Sequence, residues 1–259
     1  MEVNIPLFEY DIDRQAILQP QDMNSNVISL KKRCVLCFFQ DILEKWLQEK
    51  KIKTIFSLTS TLGKHPIYQV TDTKEEIYLF NPGLGGPMAA GFLEELIAMG
   101  CEYFIACGGA GVLHKKISMG EILLPIAAIR DEGLSYHYLP AKREITVSSY
   151  LLEAIKEILD KKHIPYREGK TWTTDAIYRE TKNKVKKRKN EGCICVEMEL
   201  ASMLAVAQFR KVELAGLLYS GDNLDGDKWE YRDWTKQESL QEKLLYLCME
   251  IVSEMDVKP

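Results

Sequence analysis

Short apolar runs alternate with segments of helical periodicity along most of this sequence, and that alternation constrains the fold more than any other feature. Runs rich in apolar and β-branched residues, bounded by Gly, Pro or Asn, predict strands at 34–39, 53–58, 67–70, 77–80, 103–107, 121–130 and 214–219. Apolar residues at helical spacing predict helices at 41–50, 87–99, 149–162, 196–209 and 234–255. This order favours an α/β fold with a central mixed, mostly parallel β-sheet flanked by helices.

The domain organisation predicted from the same pattern is one domain behind an arm. Residues 1–32 are polar and irregular, and we interpret them as an N-terminal arm. After that point no linker rich in Pro, Gly or Ser interrupts the pattern, so residues 33–259 are predicted to form a single domain. With 259 residues, of which 46% are hydrophobic, the chain can bury a sizeable core.

The sequence carries no recognisable membrane or secretion segment. The apolar stretch 122–129 contains Pro125 and is far shorter than the ~20 residues that cross a bilayer. The first residues lack the basic and apolar segments that are typical of a secretion signal. The odd number of cysteines, seven, fits a reducing compartment, and we expect a cytoplasmic protein without a membrane partner.

Metal and nucleic-acid sites have little support. Cys34 and Cys37 lie within an apolar run whose alternating side chains would point to opposite faces, so buried thiols are favoured over a zinc site shared with Cys193 and Cys195. The four histidines show no HxxxH spacing, and we predict no metal site. The basic run 182–189 belongs to a chain of net charge −4, which favours a solvated helical face over nucleic-acid binding.

Two glycine-rich turns follow predicted strands. The first is Asn-Pro-Gly-Leu-Gly-Gly-Pro at 81–87, and the second is Cys-Gly-Gly-Ala-Gly at 107–111. Glycine lets a backbone approach a ligand closely, and the helix after the first turn presents free N–H groups to an anion. Neither turn matches a Walker loop or GxGxxG, so tight packing and ligand contact remain equally open.

Two acidic segments lie beside predicted strand and helix ends. Val196-Glu-Met-Glu199 leads into an apolar helix, where its carboxylates could stabilise the helix dipole or bind a diol. Tyr219-Ser-Gly-Asp222 closes a predicted strand, and ligands of open α/β sheets bind at the carboxyl ends of strands. Asp222 is therefore either a turn-forming or a catalytic residue.

In combination these segments resemble the nucleoside phosphorylase family, which includes uridine phosphorylases, hexameric purine nucleoside phosphorylases and related nucleosidases. The resemblance extends from about residue 33 to residue 252. Its pieces are the glycine turn at 83–87, the segments 104–113, 119–133 and 173–178, and, most specifically, the motif at 196–199. Their order and spacing agree with the family throughout.

The resemblance implies a role for each matching residue. Glu199 would bind the ribose 2′- and 3′-hydroxyls, with Met198 and Glu197 beside the sugar, and Asp222 would protonate a purine at N7. The base-binding residues would be Gly109, Ala110, Gly111, Ile177, Tyr178 and Val196. Ile177 replaces an aromatic residue that usually flanks the base. Uridine phosphorylases lack the Asp and use a downstream Gln and Arg instead, which favours a purine here.

The phosphate site departs from the family pattern. The family's Gly-Asp-Pro-x-Arg loop is replaced by Phe-Phe-Gln-Asp-Ile at 38–42, and the arginine of its central strand by Ala106. The arginine that a neighbouring subunit lends would fall near Lys64. The phosphate contacts that remain implied are Lys64, Gly85, Gly86 and Gly109.

The expected activity is phosphorolysis of a purine nucleoside to free base and ribose 1-phosphate, with inorganic phosphate as co-substrate and no cofactor. Because the usual phosphate-binding arginines are missing, a hydrolytic nucleosidase of the same fold and a non-catalytic nucleoside-binding relative remain alternatives. The resemblance also implies a homo-oligomer, at least a dimer, whose subunits share active sites.

Overall fold

The computed structural model describes residues 5–23 and 28–255. Its strands are β1 (Arg33–Cys37), β2 (Ile52–Ser60), β3 (Gly63–Val70), β4 (Ile77–Phe80), β5 (Tyr103–Val112), β6 (Ile122–Asp131), β7 (Glu144–Thr146), β8 (Tyr166–Thr174), β9 (Cys193–Glu197) and β10 (Glu213–Asn223). Its α-helices are α1 (Pro20–Met23), α2 (Gln40–Gln48), α3 (Gly86–Ala98), α4 (Ser135–Tyr138), α5 (Ser149–Lys161), α6 (Lys182–Asn190), α7 (Leu200–Arg210) and α8 (Glu238–Glu254). Short 3₁₀ turns cover Pro6–Phe8, Ile177–Arg179 and Trp234–Lys236.

The strands form one mixed sheet that closes on itself at one end. The open part runs β2-β3-β4-β1-β5, and the strands β5, β10, β6, β8 and β9 pair in a ring. The parallel ladders join β1 to β4 and β5, β5 to β10, and β8 to β6 and β9. Helix α8 packs on β1 and β5, and α7 packs on β6 and β10. The predicted α/β fold with a mixed sheet flanked by helices is confirmed.

The central strands are buried because their side chains are apolar on both faces. Residues 34–37 of β1 are completely buried, as expected for a strand covered by helices on each side. On α2 the buried residues are Ile42, Leu43 and Trp46, which share one face of the helix. All seven cysteines are buried free thiols, so the predicted packing role of Cys34 and Cys37 agrees with the structure.

Three strands, β7, β8 and β9, are not predicted from the sequence, and four strands, β2, β3, β5 and β10, run further than predicted. β5 continues to Val112, so the segment 107–111 is extended strand and not the predicted turn. β10 continues to Asn223, because hydrogen bonds to β5 extend beyond the last apolar residue. The helix predicted from residue 196 begins only at Leu200, because residues up to Glu197 pair with β5 and β8 as a strand.

The described part of the N-terminal arm lies against the body through ring contacts. Phe8 meets Tyr136 edge to face at 5.3 Å between ring centroids. The guanidinium of Arg14 lies 4.0 Å above the ring of Phe209 and donates to that residue's carbonyl. Within residues 5–23 and 28–255, no helix combines the length and apolar character needed to cross a membrane, and no cluster of three or more His, Cys, Asp or Glu could hold a metal ion.

Candidate active site

The glycine turn after β4 leads the chain into α3 through two left-handed conformations. Gly83 has φ +76° and Gly85 has φ +86°, which side-chain-bearing residues rarely adopt. The side chain of Asn81 accepts a hydrogen bond from the N–H of Gly83 at 2.9 Å. Gly86 packs so tightly on α7 that a Cβ would lie 2.3 Å from Oγ of Ser202. The turn therefore requires glycine both for its backbone path and for the contact between α3 and α7.

Glu199 lies immediately before α7 and faces this turn. Its Oε1 accepts a hydrogen bond from the N–H of Gly85 at 2.6 Å, and its Oε2 accepts one from the N–H of Met198 at 3.2 Å. Only 7% of the residue is exposed. Burial, together with the charge of Glu197, raises the pKa of Glu199 to about 7 despite the two hydrogen bonds. The carboxyl is therefore poised to change its protonation state near neutral pH.

Glu197 has a different role from its neighbour. Its Oε1 accepts hydrogen bonds from the hydroxyls of Thr171 and Thr173, at 3.1 and 2.6 Å. Its Oε2 accepts from the N–H groups of Glu199 and Leu200, at 2.8 and 2.5 Å. Burial raises the pKa of Glu197, although these hydrogen bonds act in the opposite direction. Glu197 thus caps the first turn of α7 and fixes the backbone between the end of β9 and Glu199.

The glycines of β5 are in close contact with side chains of β10. A Cβ on Gly109 would lie 3.1 Å from the ring of Tyr219. A Cβ on Gly111 would lie 3.2 Å from Oδ1 of Asp222 and 3.2 Å from the side chain of Val196, whose backbone pairs with Gly111. The structure therefore brings Gly111, Val196 and Asp222 together at one place in the sheet.

Asp222 lies where the register between β10 and β5 shifts. Its Oδ2 accepts a hydrogen bond from the indole N–H of Trp229 at 2.6 Å. Burial raises the pKa of Asp222, although the indole bond and the charge of Arg232 act to lower it. The charge of Asp222 also acts on Glu180, because burial and then this charge raise the pKa of Glu180 to about 7. Two carboxyls with raised pKa thus share this part of the site.

The remaining residues predicted to bind the base or sugar differ in exposure. Ala110 and Val196 are buried in β5 and β9. Met198 is half-buried between β9 and α7. Ile177 and Tyr178 lie in a 3₁₀ turn and are 53% and 96% exposed. The strand residues can therefore contribute only backbone or small surfaces to a pocket, whereas Ile177 and Tyr178 are free to contact a ligand or another chain.

The four residues predicted to bind phosphate do not share one environment. Lys64 is exposed on β3, where it pairs with Thr59 across the β2–β3 hairpin. Gly85, Gly86 and Gly109 are each engaged in the contacts described above, with the α7 carboxylate, the α7 hydroxyl and the β10 ring. A phosphate that binds the N–H of Gly85 would have to compete with the carboxylate of Glu199.

Comparison with known proteins decides the family. A model of the phosphorylase superfamily matches residues 32–250. The chain belongs to the phosphorylase superfamily. The resemblance to nucleoside phosphorylases drawn from the sequence motifs is thereby confirmed.

Relatives within the phosphorylase superfamily act on different bases. The chain is 31% identical over 135 residues to a uridine phosphorylase of Thermococcus kodakarensis, which covers 49% of this chain and 47% of that protein. It is 28% identical over 151 residues to a guanosine phosphorylase of Halorubrum lacusprofundi, which covers 57% and 61%. The matches thus span about half the length of these relatives. The crystal structure of uridine phosphorylase from Vibrio fischeri shares the fold, with a TM-score of 0.73 and 19% identity over 90% of this chain and 95% of that one.

Two residues of the candidate site, Trp229 and Glu180, were not predicted from the sequence. Trp229 contacts Asp222 from a polar loop seven residues further along the chain. Glu180 lies between the 3₁₀ turn and the basic run of α6, where it reads as one more surface charge. The sequence signal for Trp229 is an aromatic residue in the polar segment that follows the candidate acid.

Basic residues of α6 form ion pairs within the protein. Arg188 is buried and forms ion pairs with Asp131 at 3.0 Å and with Glu191 at 2.8 Å. Lys189 pairs with Asp225 at 2.5 Å. Lys182, Lys186 and Lys187 are exposed, as predicted for a solvated helical face, whereas Arg188 and Lys189 face acidic residues of β6 and of the loop after β10.

Proposed function

We propose that this chain cleaves the N-glycosidic bond of a purine nucleoside by phosphorolysis and releases the free base and ribose 1-phosphate. The observation that carries the proposal is the half-buried carboxyl of Asp222 at the end of β10, with its raised pKa. Burial favours the protonated form of this carboxyl, and a protonated carboxyl can act as a general acid toward a leaving base. The relatives include phosphorylases of both base classes, so the choice of a purine rests on Asp222.

Glu199 is the proposed ligand of the ribose. An ionised carboxylate can accept hydrogen bonds from two neighbouring hydroxyls, and the 2′- and 3′-hydroxyls of ribose provide such a pair. Hydrogen bonds to the ionised form favour it, so a bound ribose would lower the pKa of Glu199 from about 7. Met198, which is half-buried beside it, would pack against the sugar.

The two carboxyls would act on the two charges that develop as the bond breaks. The electron pair of the C1′–N bond moves to the base, and positive charge builds on the ribose. Asp222 would transfer its proton to the base nitrogen, a role that typically contributes about 10²–10⁴-fold to the rate. The Glu199 carboxylate, on the sugar side, would stabilise the positive ribose.

Phosphate is the proposed acceptor of the ribose because the matched relatives are phosphorylases. Its proposed contacts are Gly85, Gly86 and Gly109, together with Lys64. Since Lys64 is exposed on the β2–β3 hairpin, it could reach a site in a second copy of the chain. A homo-oligomer of at least two subunits with shared sites is part of the proposal, and a cytoplasmic location stays a prediction.

Hydrolysis is the second candidate, and aromatic rings favour it. The ring of Tyr219 packs on Gly109, and Phe39 lies 5.9 Å from Tyr219 between ring centroids. A Cβ on Gly108, the preceding residue of β5, would lie 3.3 Å from the ring of Phe38. Ring faces carry negative electrostatic potential and offer no N–H donor to a dianion. Water needs no such cradle, so these contacts suit a nucleosidase.

A nucleoside panel assayed with and without phosphate tests the proposal. We expect purine nucleosides to be cleaved with ribose 1-phosphate as the sugar product and only in the presence of phosphate. Free ribose formed without phosphate would instead establish hydrolysis. Binding without any product would overturn the enzymatic proposal in favour of a nucleoside-binding protein. Cleavage of uridine in preference to purines would contradict the assigned base class.

A further inference from the structure

The loop that follows β10 is closed at its base by a backbone bridge. The N–H of Asn223 donates to the carbonyl of Glu230 at 2.9 Å, and the N–H of Glu230 donates to the carbonyl of Asn223 at 3.1 Å. The side-chain amide of Asn223 also donates to the Glu230 carboxylate at 2.8 Å. The segment 224–229 is therefore a short loop with fixed ends and not a free connection.

Two ion pairs join helix α6 to the same loop. Lys189 pairs with Asp225 at 2.5 Å, and Lys182 pairs with Asp227 at 2.8 Å. Asp225 also accepts a hydrogen bond from the backbone N–H of Lys115 at 3.0 Å. Contacts with two other parts of the fold therefore fix the position of the loop relative to β10.

Trp229 ends this loop and is the residue that returns to the site. It is 61% exposed, so burial of its ring does not explain its position. Its indole N–H nevertheless donates to Oδ2 of Asp222 at 2.6 Å, while its ring contacts Tyr231 at 5.5 Å between centroids. A hydrogen bond from a neutral donor to a carboxylate is short and directional, so it can set the orientation of a carboxyl group.

We propose that Trp229 is the positioning residue of Asp222: its indole N–H holds Oδ2 and leaves Oδ1, which faces Gly111, as the oxygen that delivers the proton to the base. The inference rests on the proposed function of Asp222 as the acid. In the step itself the C1′–N bond breaks, its electron pair goes to the base, and the base nitrogen takes the proton from Oδ1. The carboxylate regains a proton from the phosphate or water whose oxygen bonds to C1′.

The charges around Asp222 determine what loss of the indole would do. Burial raises the pKa of Asp222, the hydrogen bond from the Trp229 indole lowers it, and the charge of Arg232 lowers it further. Glu180, from the segment before α6, and Tyr219, from β10, are the other titratable groups that interact with Asp222. Without the indole N–H, the ionised form of Asp222 loses a donor, and its pKa must rise.

The decisive variant is Trp229→Phe, which keeps an aromatic ring and removes the N–H. We expect the alkaline limb of the kcat/KM profile to move up by about one pH unit, with kcat lowered about tenfold, from the usual strength of a hydrogen bond to a charged group. Tyr231→Phe is the matched control, because it lies on the same segment and its hydroxyl bonds to Thr235. An unmoved limb in Trp229→Phe, even with a raised KM, would overturn the proposal.

A measurement independent of turnover separates this proposal from the proposed function. The carboxyl of Asp222 can be titrated by ¹³C NMR in the wild type, in Trp229→Phe and in Tyr231→Phe. We expect an upward pKa shift in Trp229→Phe alone. No shift would refute the positioning role whether or not the wild type cleaves nucleosides. A shift in a protein that cleaves none would uphold the indole contact and overturn the role of Asp222 in catalysis.

Discussion

Oε1 of Glu199 accepts a hydrogen bond from the backbone N–H of Gly85 at 2.6 Å, which fastens the proposed ribose ligand to the glycine turn before α3. The contact joins the N-terminal ends of two helices, α3 and α7, which also pack closely through Gly86 and Ser202. A backbone donor has no rotamer freedom. The carboxylate is therefore oriented before a ligand arrives, and a sugar pays less entropy to bind it.

Glu199→Gln tests this preorganised contact. The amide oxygen can still accept from Gly85, but the side chain no longer offers a negative charge and two acceptors to a diol. We expect kcat/KM for a ribonucleoside to fall about 10- to 100-fold, as for the loss of a hydrogen bond to a charged group. A 2′,3′-dideoxynucleoside should lose much less. An equal loss for both substrates would contradict the assignment of Glu199 to the ribose.

Asp222→Asn tests the acid. Asparagine keeps the shape of the side chain but cannot transfer the proton, so kcat should fall about 10²–10⁴-fold while KM changes little. Asp233→Asn is the matched control, because Asp233 is exposed and pairs with Lys236 on the surface. Steady-state kinetics of the wild type and the two variants measure the changes in kcat and KM. Near-normal turnover by Asp222→Asn would show that the acid lies elsewhere.

The sequence predicted those parts of the fold that are encoded by local apolar patterns. The buried run of β1 and the one-sided apolar face of α2 are examples, because each depends on neighbours within one element. The polar strand β8 was missed, since Tyr166–Thr174 is held by its parallel pairing with β6 and β9 and not by its own composition. Such pairing joins residues far apart in the chain, and no local pattern reports it.

The candidate site, like the fold, was predictable only where a local motif encodes it. The motif at 196–199 located the carboxylate at the start of α7, and the strand-end rule pointed to Asp222. The capping role of Glu197 depends on hydroxyls of β8, which the sequence does not place beside it. The contact of Trp229 depends on a loop that is closed by the backbone bridge between Asn223 and Glu230 and joined to α6 by an ion pair. These parts of the site required the tertiary structure.

Gly109→Ala tests the packing of Tyr219 against β5. The new Cβ would lie 3.1 Å from a fully buried ring whose hydroxyl donates to the carbonyl of Trp234 at 2.8 Å. Because the ring is fully buried and its hydroxyl is held by a hydrogen bond, we expect the free energy of unfolding to fall by about 1–3 kcal/mol. Gly91→Ala in α3, where no atom lies within 4 Å of the new Cβ, should raise it by about 0.5–1 kcal/mol. Urea denaturation measures both, and equal stability of the two variants would contradict the contact.

Glu180→Gln tests the raised pKa of this carboxyl through the pH dependence of stability. Burial and the charge of Asp222 raise the pKa of Glu180 from 4.5 to about 7, so the folded state favours the protonated form. The stability this contributes is complete below pH 4.5 and is lost as the pH rises through about 7. Glutamine does not titrate, so the variant should gain about 2 kcal/mol of unfolding free energy relative to wild type between pH 5 and pH 8, after solvent screening is allowed for. Urea titrations at both pH values, with the exposed Glu153→Gln of α5 as control, measure the difference. A gain no larger than that of the control would mean that Glu180 ionises freely in the folded protein.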